Sequence, residues 1–288
     1  MWLLVGGDSE IATATLAFLR GRGRNVTGTT RRRQQVTRDR PFFDLSSSLA
    51  EWEPPAGTTA ACILAAVTRL AACEVDPIGS AALNVGQTAA LVDRLVARGI
   101  YVLFISTNQV FDGTQPRVAP EAPTCPISEY GRQKASTEAA LNRRMASGAP
   151  IAILRLAKIV SPSTALLRGW TSSLARREPI DAFFDMTMAP TPVHTVASAV
   201  EALLAGRMPG VFQLSGPTDI SYAEFGLRLA ARMGVDRRLV RLTSASSANL
   251  PTGANPRYTT LNSDRLRATY GIASPDLDAV IDSSLLGD

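Results

Sequence analysis

The chain has 288 residues, 45% of them hydrophobic and 19% charged, with a formal net charge of +5; that balance belongs to a globular protein and excludes a disordered or fibrous one. Its longest apolar run, residues 60–67, stops at Thr68 and Arg69, well short of the ~18 residues that read as a membrane span, and the scattered basic residues do not point to DNA. The single histidine, His194, rules out an HExxH zinc site, and Cys62, Cys73 and Cys125 form no CxxC, so no metal site is expected and a reducing cytoplasm suits the thiols.

In chain order, residues 2–6 read as a strand with no signal peptide before it, 10–22 as a helix, 25–30 and 60–66 as strands, and 80–98 as one long helix. Residues 100–106 form the next strand, 128–145 a helix with Ser128 as N-cap, and 151–156 a further strand. Near-continuous apolar strands alternating with helices predict an α/β fold, a doubly wound parallel sheet of Rossmann type covered on both faces. Beyond it, 195–205 and 222–233 read as helices and 211–215 as a strand, among loops rich in Pro, Ser and Asn. The expected division is a nucleotide-binding domain over 1–158, rejoined by about 193–215, and a smaller substrate-binding domain made mainly of 159–288.

Between the first strand and first helix stands Gly6-Gly7-Asp8-Ser9-Glu10-Ile11-Ala12. A dinucleotide fold needs a tight turn here so that amides at a helix N-terminus can approach a pyrophosphate, although Ser9 and Ala12 stand where spaced glycines are usual. The second strand ends in Thr29-Thr30-Arg31-Arg32-Arg33. An acidic residue here would bind the ribose 2′-hydroxyl of NAD, whereas arginines suit a 2′-phosphate, so the predicted coenzyme is NADPH (NADP+).

The strand 100–106 leads into Ser106-Thr107-Asn108-Gln109, and a Pro-rich loop then brings Tyr130 and Lys134. A spacing of four puts those two side chains on one helix face. A phenol has an ordinary pKa near ~10, and a neighbouring ammonium favours its phenolate, so the pair suits proton donation and recovery. Thr107, at the carboxyl end of its strand, faces the crevice where it can hydrogen-bond a carbonyl oxygen. Only Lys134 and Lys158 are lysines in an arginine-dominated chain, which singles both out. Lys158 reads either as a residue leaving a strand or as a contact to a substrate phosphate. His194 reads as structural, and Trp170, Phe183 and Phe184 as core rather than base-stacking residues.

On these residues the chain resembles the extended short-chain dehydrogenase/reductases, most closely the dTDP-4-dehydrorhamnose reductases. The matching pieces are the loop 6–12, Gly28-Thr29-Thr30-Arg31, Asp44-Leu45, Leu64-Ala65-Ala66, Asn84-Val85, Ser106-Thr107 with Val110-Phe111-Asp112-Gly113, Tyr130 with Lys134, and Ala189-Pro190-Thr191. The resemblance covers the first ~160 residues well, as the sheet-building half, and the rest loosely. It implies hydride transfer from NADPH to a keto group of a nucleotide-linked sugar. Tyr130 would be the general acid, Lys134 would bind the nicotinamide ribose and lower the Tyr130 pKa, and Thr107 would orient the carbonyl. Gly6, Ser9, Glu10, Ile11, Thr30, Arg31, Arg32, Ser106, Tyr130 and Lys134 would bind the coenzyme. Asp44 and Leu45 would meet the adenine end, and Leu64, Ala65 and Ala66 would line the groove. The resemblance allows a homodimer. Asn108-Gln109 departs from the Asp-Tyr usual after the threonine, which leaves the sugar open. An epimerase of the same superfamily and a non-catalytic NADP-binding regulatory subunit are the competing readings.

Overall fold

A computed structural model describes residues 1–285. Six strands form one parallel sheet: β1 (Trp2–Val5), β2 (Val26–Gly28), β3 (Ala60–Ile63), β4 (Tyr101–Thr107), β5 (Ile151–Leu156) and β6 (Gly210–Leu214). Their spatial order is β6-β5-β4-β3-β1-β2. An isolated parallel bridge between Thr30 and Phe42 extends the edge beside β2. Every residue of β3, β4 and β5 is buried, as expected of strands covered on both faces. One core packs Leu4, Leu103 and Leu154 with Leu16 and Leu19 of the helix Glu10–Gly21 and Val196 and Leu203 of the helix Val193–Gly206. The other packs Leu3, Ile63 and Phe104 with Leu91, Leu95 and Leu141. The chain runs outwards to β2 on one side of β1 and outwards from β3 on the other. The order therefore reverses between β1 and β3, and a crevice opens beyond their carboxyl ends.

A third core, around Trp170, Phe225 and Val240, organises the remainder with two-residue strands such as Thr187–Met188 against Ile220–Ser221. Trp170 is buried, as expected, but Phe184 is exposed rather than core. His194 is exposed in the first turn of its helix.

The expected long helix over 80–98 runs from Pro77 to Val96, preceded by a short separate helix, Leu70–Val75, and its α-helical winding is interrupted by a π-helical turn, Ala82–Gln87. The physical reason is Asn84. Its side chain accepts from the Val67 amide at 2.8 Å and donates to the Val67 carbonyl at 2.9 Å and to Gln133 Oε1 at 2.7 Å, while its own carbonyl accepts from Thr137 Oγ1 at 2.8 Å. A buried amide with partners on two other segments fixes the local winding, and π-turns are found mostly as such single insertions.

Candidate active site

The glycine turn after β1 is forced by packing. Gly6 has φ +89°, and a Cβ there would sit 2.6 Å from the Ala65 amide nitrogen; one on Gly7 would sit 2.7 Å from the Thr29 carbonyl oxygen. Backbone thus fits directly against the segments after β3 and β2. Ser9, where a glycine is usual, serves as N-cap and accepts from the Ala12 amide at 3.2 Å. The amides of Glu10 and Ile11 are left at the mouth of a twelve-residue helix, where anions are favoured. The Glu10 carboxylate accepts from Ser163 Oγ at 2.8 Å.

Two cavities run along the crevice. One, of about 350 Å³, is lined by Gly6, Ser9, Arg31, Arg32, Asp44, Leu45, Leu64, Ala65 and Ala66. The next, of about 330 Å³, is lined by Ser9, Glu10, Ile11, Leu64, Ser106, Thr107, Tyr130 and Lys134. They share Ser9, Leu64 and Thr68, so they form one groove. Every coenzyme-site residue expected from sequence lines it except Thr30. The Thr30 side chain is buried and turned into a local network, donating to Asp8 and accepting from the Arg32 amide. Asp8, Thr68, Ile105, Ser161, Thr164 and Val193 also line the groove, and sequence reasoning did not single them out. Of these only Asp8 had a readable signal, an acid inside a phosphate loop.

The groove fits a dinucleotide on its own chemistry. Its narrow turn leaves two helix amides free, and Arg31 and Arg32 are exposed at one end with no ion-pair partner among the described residues. At the other end Ser106 Oγ is buried without a hydrogen-bond partner among the described residues. Asp44 lines the arginine end, where the Ser46 amide and hydroxyl, with Arg31 and Arg33 more distantly, hold its carboxyl below the ordinary range.

The helix Glu129–Ala146 carries Tyr130 and Lys134. It starts where it does because Ser128 caps it, accepting from the Gly131 amide at 3.0 Å and donating to Gln109 Oε1 at 3.2 Å. Gly131 lies against the Gln109 carbonyl, where a Cβ would collide. The first turn is thereby seated on the end of β4, beside Thr107. Gln109 also donates to the Gly253 carbonyl at 3.1 Å, tying this corner to the later half of the chain. Thr107 Oγ1 accepts from the Gln109 amide at 3.2 Å, and its own hydrogen has only a long 3.4 Å contact to Asn108 Oδ1. That hydrogen is available to a carbonyl oxygen in the groove.

Lys134 is 5% exposed. Its ammonium donates to the Ile105 carbonyl at 2.8 Å, lies 4.3 Å from the Phe104 ring centroid and is 5.9 Å from that of Tyr130. Burial lowers its pKa to about 8, while the Glu138 carboxylate works the other way. Burial pushes the Tyr130 phenol above its ordinary value, with Cys73 adding to the rise, the reverse of the lowering expected from Lys134, because the cost of desolvating the phenolate outweighs an ammonium 5.9 Å from the ring centroid. The phenol is therefore protonated at neutral pH, the state a proton donor needs. Glu138, 1% exposed, pairs with Arg155, 2% exposed, through Nη2 at 2.7 Å and Nε at 3.1 Å. Arg155 Nη1 goes on to the Pro120 carbonyl and to Gln213 Oε1. Among the described residues no cluster could hold a metal ion, and no helix is long and apolar enough to cross a membrane.

The RmlD substrate binding domain family model matches residues 1–285. A dTDP-4-dehydrorhamnose reductase from Sinorhizobium fredii is 29% identical over 255 residues, 84% of this chain and 85% of that protein. Among solved structures, a dTDP-4-dehydrorhamnose reductase from Clostridium acetobutylicum superposes with a TM-score of 0.82 at 19% identity, over 99% of this chain and 98% of the other. One from Bacillus anthracis, solved in complex with NADP, has a TM-score of 0.79 at 17% identity, over 98% and 96%.

Proposed function

The chain belongs to the RmlD substrate binding domain family, and on that premise we propose that it is an NADPH-dependent reductase acting on a keto group of a nucleotide-linked sugar. One observation carries this reading: Thr107, Tyr130 and Lys134 line the same groove whose other end bears Arg31 and Arg32. The names of the relatives support it, since the S. fredii protein is a dTDP-4-dehydrorhamnose reductase and the B. anthracis one was solved with NADP. The Glu10 and Ile11 amides would receive the pyrophosphate, Arg31 and Arg32 the 2′-phosphate, and Ser106 and Lys134 the nicotinamide end.

NADPH, held by these residues, would supply the hydride for the keto carbon. The residues of the chain manage the oxygen. Thr107 donates a hydrogen bond to the carbonyl, Tyr130 gives it a proton, and the C=O becomes an alcohol as the phenol becomes a phenolate. The Lys134 ammonium stabilises that phenolate until solvent returns the proton. The same proposal places 1–158, rejoined by 193–215, as the coenzyme domain and 159–288 mainly as the substrate domain. It also places the protein in the cytoplasm, with a homodimer as its assembly.

The test is NADPH oxidation by the purified chain against a panel of dTDP- and UDP-linked keto sugars, alongside Tyr130→Phe. Turnover on a member of the panel that Tyr130→Phe removes is the expected result. NADPH binding with no turnover on any of them would instead favour a non-catalytic role.

A further inference from the structure

A carboxylate already stands at the place where the coenzyme's adenosine ribose would lie. Asp8 leaves the glycine turn and reaches the end of β2. Its Oδ2 accepts from the Thr30 hydroxyl at 3.1 Å and from the Arg31 amide at 3.1 Å. Its Oδ1 accepts from Arg40 Nη2 at 2.6 Å. Asp8 lines the arginine end of the groove together with Arg31 and Arg32. In a dinucleotide fold the group at this position selects the coenzyme: an acid takes the ribose 2′-hydroxyl, and cations with neutral donors take a 2′-phosphate.

Here both kinds of group meet, and the acid comes from a different segment from the arginines. The Thr30 hydroxyl and the Arg31 amide, natural donors to a 2′-phosphate, are engaged by Asp8. Among the described residues Arg40 is the one cation that pairs with it directly. A phosphate entering between them would have to displace the carboxylate or lie against a like charge. A 2′-hydroxyl would need neither, and could donate to Asp8.

We propose that Asp8 is a specificity-determining residue that restrains the preference for NADPH over NADH created by Arg31 and Arg32. The inference rests on the coenzyme-binding reading above. Replacing the carboxylate with an amide should release the Thr30 and Arg31 donors and remove the repulsion while keeping the side chain's shape. Arg40→Gln should act in the opposite sense, because it leaves Asp8 charged and without its partner.

The experiment is fluorescence titration of the full-length chain with NADPH and with NADH, for the unaltered protein, Asp8→Asn and Arg40→Gln. Asp8→Asn should shift the ratio of the two dissociation constants towards NADPH by about ten-fold, the scale of one charge-assisted contact. Arg40→Gln should shift it towards NADH. If Asp8→Asn does not fold, the Arg40→Gln shift alone decides. A ratio left unchanged by the variants, or a shift of the opposite sign, overturns the role of Asp8 and leaves the reductase reading intact. Binding of neither coenzyme by the unaltered chain overturns both.

Discussion

Glu138 stands one helical turn beyond Lys134 on the helix Glu129–Ala146, and its carboxylate opposes the burial that draws the Lys134 pKa down to about 8. The Lys134 ammonium thus has behind it a carboxylate that favours its charged form and does not face the groove.

A pH dependence follows. Lys134 loses its charge as pH rises through about 8, so kcat/KM should fall on the alkaline side with a midpoint there, because kcat/KM reports groups of the free enzyme. Glu138→Gln removes the carboxylate that favours the ammonium, and the falling limb should move about one unit towards acid. A limb that stays in place would remove Glu138 from this role.

The Glu138–Arg155 pair should also be visible in stability. Removing one partner leaves the other buried and uncompensated, so Glu138→Gln should cost about 3–5 kcal/mol in denaturant unfolding. Glu138→Leu combined with Arg155→Met should cost less than the sum of the two single changes, because the double variant leaves no stranded charge.

Lys134 itself trades stability for chemistry. Below pH 8 the folded chain bears the full cost of the buried ammonium. Between about 8 and the ordinary 10.5 only the unfolded chain holds the proton, so this contribution to stability improves as pH rises. Lys134→Met should then stabilise the protein at pH 7 by up to roughly 3 kcal/mol. The gain should shrink as pH approaches 10.5, while turnover is lost throughout. Urea titrations at the two pH values check it.

At the oxygen-handling end, Tyr130→Phe should lower kcat by ~10²–10⁴. Thr107→Val should lower it by ~10²–10³. Neither should change NADPH affinity by more than a small factor, which coenzyme titration and steady-state kinetics together would establish.

Much of this site can be read along the chain because its parts are local. A Gly turn before a helix, a run of arginines closing a strand and a Tyr–Lys pair four apart each express a short-range rule. Asp8 and Asn84 were not legible in that way. Asp8 acts on Thr30, Arg31 and Arg40 across more than twenty residues. Asn84 sits in a π-turn within a helix that its neighbours favour, bonding Val67 and Gln133. Thr30 was expected to face the coenzyme, but its hydroxyl turned instead to the nearest carboxylate. The later part of the chain has two-residue strands and is held by contacts such as Asp219 with Thr259 and Thr260. Segments that short carry no hydrophobic period to read.

The two lysines give the protein a built-in chemical reporter. In a chain whose other basic side chains are almost all guanidinium groups, an amine-directed acylating reagent has two side-chain amines to meet, Lys158 and Lys134. Lys158 is partly exposed and should label at once. Lys134, with a pKa of about 8, has a sizeable nucleophilic fraction at mildly alkaline pH, and its burial sets how fast reagent reaches it. The rate at which mass spectrometry finds Lys134 modified thus reports its access from the groove, and protection by coenzyme or sugar would map occupancy without any engineered probe.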